Sequence, residues 1–316
     1  MSNQVKLAVS PHIHSGNSTR RIMLDVLIAL MPTTIAGAII FGWKSLVIIA
    51  ACVISCIGFE ALFNLITKRK QTIGDLSAAV TGLLLALNLS VVEQNLGITI
   101  FQCVIGSLFA IIVVKCLFGG IGCNVVNPAI AARVFMLIAF GSMAKAGLPV
   151  IVDTVSSATP LSAETVDQLP SLLDLFLGLR GGAIGEVCVL ALLIGFVYLL
   201  VRKVITWHIP VVFIGTVFIA SLFMEGFDVN MALTMTLSGG LFLGAIFMAT
   251  DYVTSPSTAW GKIIFAFGAG MITFLIRYFG TYPEGVSFAI LLMNILNPYI
   301  DSWTRHKILV AGGKKA

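Results

Sequence analysis

Apolar residues run through this chain in long blocks separated by short polar breaks. Blocks of spanning or near-spanning length start near residues 22, 45, 77, 97, 128, 187, 211, 231, 261 and 284. About 20 apolar residues carry a helix across a bilayer, so the pattern predicts about ten transmembrane helices. The block from Ser77 to Val92 is short and rich in small residues, as a tilted or broken span would be. The breaks are a few residues long, except at 144–186. That stretch holds Asp153, Glu164, Asp167, Asp174 and Glu186 among Pro149, Pro160, Pro170 and the Gly181–Gly182 pair. A connection this long in an otherwise tightly looped chain points to function.

Composition makes lipid the solvent for most of the molecule. Hydrophobic residues are 58% of the 316, charged residues 10%, and mean hydropathy is +1.04. Soluble domains carry about 25% charged residues, so no soluble catalytic domain fits here. The net charge of +5 invites a nucleic-acid partner, but the basic residues cluster at block ends: Arg20 with Arg21, 68–70, Arg202 with Lys203, and Arg305 with Lys307. That is how cytoplasmic loops are marked. With the N-terminus inside, these clusters all face the cytoplasm, both termini are cytoplasmic, and 144–186 faces outside. Residues 1–20 are polar and show no cleavable leader. Five of the six cysteines sit in or beside apolar blocks with no CxxC spacing, which reads as buried small hydrophobes rather than a thiolate site.

The two halves repeat weakly. Asn124, Asn127 and Pro128 recur in spacing as Asn294, Asn297 and Pro298, and Gly82 to Ala86 is echoed from Gly240 to Gly244. Five spans per half is odd, so the second copy inserts upside down, an arrangement that places a site near the midplane among broken helices. The expected architecture is an all-α integral membrane protein of two inverted five-helix repeats. Its parts are a cytoplasmic segment 1–21, a first repeat 22–143, the outer loop 144–186, a second repeat 187–301 and a cytoplasmic tail 302–316.

Several polar groups are costly in this setting and are therefore candidates. The paired asparagines read either as N-caps of helices starting at Pro128 and Pro298 or as amides bonding a polar ring or ion. Asp25, Glu60, Asp75, Asp251 and Asp301 lie at or near membrane depth. Asp251, between Thr250 and Thr254, is suited to accept hydrogen bonds from a ligand or to meet a cation, or to reach the interface from a helix end; Asp25 lies one turn from Arg21 and could simply pair with it. His12 and His14 flank Ile13 after Pro11, a pair without a nearby third ligand. The outer loop holds Ser156, Ser157, Ala158, Thr159 and Pro160, a hydroxyl-rich turn whose threonine could accept a phosphoryl group and tether a cofactor.

Taken in order, Ser10 to His12, Asp75 to Gly82, Gly119 to Pro128, Ser156 to Leu161, Met248 to Pro256 and Tyr282 to Pro298 carry a resemblance covering nearly the whole chain. The sequence resembles the D-type membrane component of the Rnf complex, the membrane-bound ferredoxin:NAD+ oxidoreductase. More distantly it is similar to the B-type membrane component of the Na+-translocating NADH:quinone oxidoreductase. The resemblance implies FMN joined to Thr159 by a phosphoester, within Ser156, Ser157 and Ala158; Ser157 stands where glycine is usual. It also implies non-covalent riboflavin near Asn124 and Asn127, with Asp251 as a further contact. Partners would be the other Rnf subunits, a flavoprotein and iron–sulfur subunits among them, in a bacterial cytoplasmic membrane. Electrons would pass between flavins, coupled to Na+ or H+ movement, with Asp25, Asp251 and Asp301 as local ion-path candidates. The competing reading is a channel or transporter for a small polar solute.

Overall fold

The computed structural model describes residues 18–91, 95–140, 171–280 and 285–313. Among these the fold is helical, with no strand and one isolated bridge between Ser90 and Ala183. α1 (Thr19–Phe41) opens on Ser18, whose hydroxyl accepts from the Arg21 amide, and runs through Pro32 without ending. α2 (Trp43–Ile66) follows directly after Gly42. A 3-10 turn (Ile73–Asp75) leads into α3 (Ser77–Leu87), and α4 (Leu96–Leu108) continues as π-helical turns over Phe109–Cys116. α5 is Pro128–Ala139 and α6 is Leu172–Leu177. In the second half come α7 (Val189–Val201), α8 (His208–Met224), α9 (Val229–Leu237), and α10 (Leu241–Leu243) with its π-helical extension Gly244–Met248. α11 (Ala259–Phe279) and α12 (Val286–Gly313) complete the chain.

Each of the ten apolar block starts falls within three residues of a helix start. The span lengths, however, depart from the expectation. Four helices are long and apolar enough to cross a membrane: α1, α2, Leu96–Cys116 and α11. The pair Val229–Leu237 and Leu241–Met248, bent by 63°, makes a fifth if taken as one span. α3, α5, α7 and α8 are apolar but only 10–17 residues long, short for a core of about 30 Å at 1.5 Å per residue. Among the described residues the membrane fold is all-helical, with four or five helices of full spanning length and four shorter apolar ones.

The physical reason is visible at α3, which the apolar block would have carried on to Val92. The chain leaves the helix at Asn88, and segment 183–185 takes up the carbonyls there: Ile184 N–H donates to Leu89 O (3.0 Å) and Gly185 N–H to Leu87 O (2.7 Å). A backbone can leave the helix in an apolar region only where protein supplies such partners. The 144–186 stretch thus ends in the interior: Arg180, Ala183, Ile184 and Glu186 are all buried.

Helix packing places the core. α1 packs on α7, α2 on α3 and α4, and α11 on both α8 and α12. Small residues let these helices approach closely, as membrane packing favours. A Cβ on Gly195 of α7 would collide with the Ala29 carbonyl of α1, and one on Gly82 of α3 would stand 2.8 Å from the Cys52 carbonyl of α2. Five of the six cysteines are buried and Cys123 is exposed.

The second asparagine–proline motif behaves unlike the first. α12 runs unbroken through Pro298, so Asn297 caps nothing, which corrects the expectation of a helix starting there. Its face instead grips the irregular segment 254–258. Asn294, with its amide turned to satisfy its neighbours, donates to Thr254 O (3.2 Å) and accepts from the Asn127 N–H (3.1 Å). Asp301 accepts from the Ser257 N–H at 2.9 Å, and Thr258 donates to the Thr304 hydroxyl at 2.8 Å.

Candidate functional site

Three helix breaks converge on one cavity. The first is the start of α3, where Leu76 turns left-handed (φ 66°) and the Asp75 carboxylate accepts from both the Ser77 N–H (2.8 Å) and the Ser77 hydroxyl (2.6 Å). The second is the start of α5. Asn127 Oδ1 accepts from the Ala129 and Ile130 amides at 3.0 and 3.4 Å, and Pro128 sits where no backbone donor is needed. The third is the end of the π-helical turn at Met248, after which residues 249–258 are irregular.

The cavity encloses about 850 Å³ of empty space including its open mouth. Its walls are apolar, from Ile22, Met23, Val26, Val80, Leu84, Leu199 and Phe247. Its polar groups are Ser77, Thr81, Lys115, Asn124, Asn127, Thr250 and Asp251. Because α3 and α5 both begin at this wall, the positive ends of two helix dipoles bear on it. Electron-rich ligand atoms are favoured there.

Asp251 accepts from the Thr254 hydroxyl at 3.1 Å, and the Asn124 amide also acts on its carboxylate. Asn124 further donates to Val126 O at 3.0 Å. Asn127 donates to Met248 O at 3.2 Å, so its amide joins the first half of the chain to the second while its oxygen caps α5. The three candidates read from the sequence, Asn124, Asn127 and Asp251, therefore share one wall.

The other candidates lie elsewhere. Asp25 is buried beside the cavity and accepts from Tyr198 Oη (3.0 Å) and from Arg202 through Nε (3.3 Å) and Nη2 (3.2 Å). The arginine that closes on it comes from the far half of the chain. Asp301 is held by Ser257 and by Arg305 at 3.1 Å, one turn along its own helix. Thr159, Ser156, Ser157 and Ala158, and also His12 and His14, lie outside the described residues.

Lys115 is not among the candidates read from the sequence, yet its side chain is 4% exposed and lies 2.9 Å from Glu60 Oε2, itself 3% exposed. Lys115 also donates to the Ser77 hydroxyl at 2.6 Å. A lone lysine in the apolar run 109–116 was the available signal, since an intramembrane ammonium needs a partner.

An isoalloxazine needs apolar faces and hydrogen-bonding groups along one edge. This cavity supplies both, and Asn124, Asp251 and Thr250 are the side chains that would meet the polar edge.

Comparison with known proteins gives the family. Residues 6–309 match the NQR2, RnfD, RnfE family. The chain is 45% identical over 315 residues to the D component of the Na(+)-translocating ferredoxin:NAD(+) oxidoreductase complex of Acetobacterium woodii, covering 97% of this chain and 96% of that one. It is 38% identical over 325 residues to the D component of the proton-translocating ferredoxin:NAD(+) oxidoreductase complex of Clostridium ljungdahlii, at 96% and 95% coverage. A third relative, the D component of the ion-translocating oxidoreductase complex of Stutzerimonas stutzeri, is 37% identical with 90% of each chain covered. With its family matched almost end to end and its relatives this similar, the chain belongs to the NQR2, RnfD, RnfE family.

Proposed function

We propose that this chain is the flavin-carrying, D-type membrane component of an ion-translocating ferredoxin:NAD+ oxidoreductase of the Rnf type. It holds riboflavin without a covalent bond in the cavity between α3, α5 and the Met248 break. It holds FMN through a phosphoester on Thr159. The observation that carries the riboflavin reading is the cavity itself, with apolar walls and a polar edge at two helix starts. The hydroxyl-rich stretch 156–161 and the family resemblance support the FMN reading.

Bound flavins supply electron transfer between the neighbouring flavoprotein or iron–sulfur subunits and the far side of the membrane. The chain's own residues bind and orient. Asn124 and Asp251 face the ligand's polar edge, Asn127 keeps the start of α5 in place, and Phe247, Leu84 and Leu199 exclude water from its faces. The reading of two inverted repeats is supported by the order of elements: α1 and α7 open the halves and pack on one another, and the short or bent elements α3 and α10 follow each. Both termini and the 68–70 cluster face the cytoplasm of a bacterial cell. The relatives' names divide between Na+ and H+, and transport of one of these ions is coupled to electron flow, with Asp25, Asp251 and Asp301 as its local acidic groups.

The test is denaturing electrophoresis of the purified complex viewed under ultraviolet light, with mass spectrometry of the peptide carrying Thr159. A fluorescent band and an FMN mass on Thr159, both lost in Thr159→Ala, are expected. Acid extraction should release riboflavin from wild type and less from Asn124→Leu. An unmodified Thr159 peptide from an active complex would overturn the covalent assignment. Absence of any releasable flavin would leave the solute-transporter reading in its place.

A further inference from the structure

Glu60 and Lys115 are two buried charges that the reading above does not use. They belong to a continuous hydrogen-bonded chain. At one end is Thr72, an exposed residue just beyond the basic cluster 68–70, whose hydroxyl donates to Glu60 Oε1 and accepts from the Asn64 amide at 3.0 Å. Glu60 Oε2 accepts from Lys115 Nζ at 2.9 Å, and Lys115 donates onward to Ser77 Oγ at 2.6 Å. Lys115 and Ser77 line the cavity, and Asp75 closes the far side of Ser77. A surface hydroxyl is thus linked to the ligand wall through two ionisable groups and no gap.

Helix packing alone would not call for this arrangement. A buried ion pair gains little over apolar side chains of the same shape, and an intramembrane pair is a functional candidate by default, proton relays being one attested use. Lys115 also sits in π-helical turns, shown by the Leu117 N–H bonding back to Ile112 O at 3.0 Å. Such turns recur at functional sites.

We propose that Thr72, Glu60 and Lys115 form a proton relay that serves a reducible ligand in the cavity from the Thr72 side. The inference rests on the cavity holding such a ligand. When the ligand gains an electron, the Lys115 ammonium gives it one proton and becomes an amine. A water outside protonates the Thr72 oxygen as the Thr72 hydroxyl proton passes to Glu60, and Glu60 returns that proton to Lys115. One proton moves from water to ligand, the electron comes from the complex's own donor, and the ion pair is restored. Glu60 and Lys115 act at the reacting end; Thr72 is a positioning and entry residue.

The experiment uses the whole purified complex, reduced by stopped-flow mixing with reduced methyl viologen, which carries electrons and no protons. A pH-indicator dye reads proton uptake, and acid extraction reads riboflavin content. Glu60→Gln keeps the shape but cannot shuttle, and Lys115→Arg keeps the charge but does not release its proton. Glu60→Gln is expected to hold wild-type riboflavin, and in both variants the fastest phase of proton uptake per bound riboflavin is expected to slow about a hundredfold, the scale of a lost acid–base group. Thr72→Val should slow the same phase and Thr72→Ser restore it; because Thr72 is exposed, this pair decides the matter if the buried variants do not assemble. Wild-type uptake in Glu60→Gln and Lys115→Arg, or in Thr72→Val, overturns the relay. Loss of riboflavin in step with uptake also overturns it, in favour of a pair that only shapes the pocket. If wild type itself releases no riboflavin, the flavin reading fails, and slowed uptake in the variants still upholds the relay toward another reducible group.

Discussion

The Asn127 amide donates to the Met248 carbonyl at 3.2 Å, across 121 residues of sequence, while the oxygen of the same side chain caps α5. One residue therefore ties the start of a helix in the first half to the end of the π-helical turn in the second. Asn294 adds to the same junction by accepting from the Asn127 backbone N–H. The cavity wall depends on this joint, since Asn127, Ala129, Phe247 and Asp251 all contribute to it.

Asn127→Leu removes the cap and leaves the Met248 carbonyl without this donor. Loss of a cap costs about 1 kcal/mol, and an unsatisfied buried group about 1–3 kcal/mol more. A lower thermal midpoint of the detergent-solubilised protein is expected, together with less releasable riboflavin. Asn127→Ser keeps a capping oxygen but is too short for Met248, so it should fall between Leu and wild type. A serine variant as unstable as the leucine one would show that the cap contributes nothing.

The Asp25–Arg202 pair makes an asymmetric prediction. The Asp25 side chain is 9% exposed and that of Arg202 39%. Removing the arginine strands a buried carboxylate, whereas removing the aspartate's charge leaves an arginine that can turn to water. Arg202→Ala should therefore lower the thermal midpoint, though less than breaking a fully buried pair because Arg202 is partly solvated. Asp25→Asn, which keeps an acceptor for Tyr198, should cost less, and the double variant should recover part of the loss. Equal losses in the two single variants would mean that packing rather than charge governs the site.

Gly195→Val should separate α1 from α7, because any Cβ there meets the Ala29 carbonyl. Backbone cannot yield as a flexible side chain does, so reduced membrane insertion or assembly is expected by gel filtration of the complex. Gly58→Ala is the matched control: nothing lies within 4 Å of its added carbon, and normal assembly is expected.

Asp251→Asn should lower riboflavin retention without unfolding the protein. The amide still accepts from Thr254 but no longer offers the full carboxylate that faces the cavity beside Asn124. Extraction of the purified variant reads the flavin directly, and an unchanged thermal midpoint separates a lost contact from a lost fold.

Reporter fusions test the proposed orientation. Fusions at Lys70 and Leu161 should report opposite sides of the membrane, with Lys70 cytoplasmic, because the basic clusters favour that side. Fusions on the same side would break the inverted-repeat reading.

By itself the sequence determined where helices begin, that the fold is helical and lipid-solvated, and which motifs carry the family's likeness. Apolar blocks and polar breaks are local properties, so each block start lies close to a helix start. Asn124, Asn127 and Asp251 were visible for the same reason, as polar residues where hydrocarbon is expected. Only the tertiary structure decided where helices stop and which charges meet. α3 ends at Leu87 because the Ile184 and Gly185 amides donate to the carbonyls freed there, and α12 continues past Pro298 with its asparagine face held against 254–258. Lys115 found Glu60 55 residues away and Ser77 38 residues away, a pairing with no local signature. In lipid both the packed and the exposed face of a helix are apolar, so the hydrophobic pattern does not distinguish them. Which polar groups share an interior is then set by helix contacts distant in sequence.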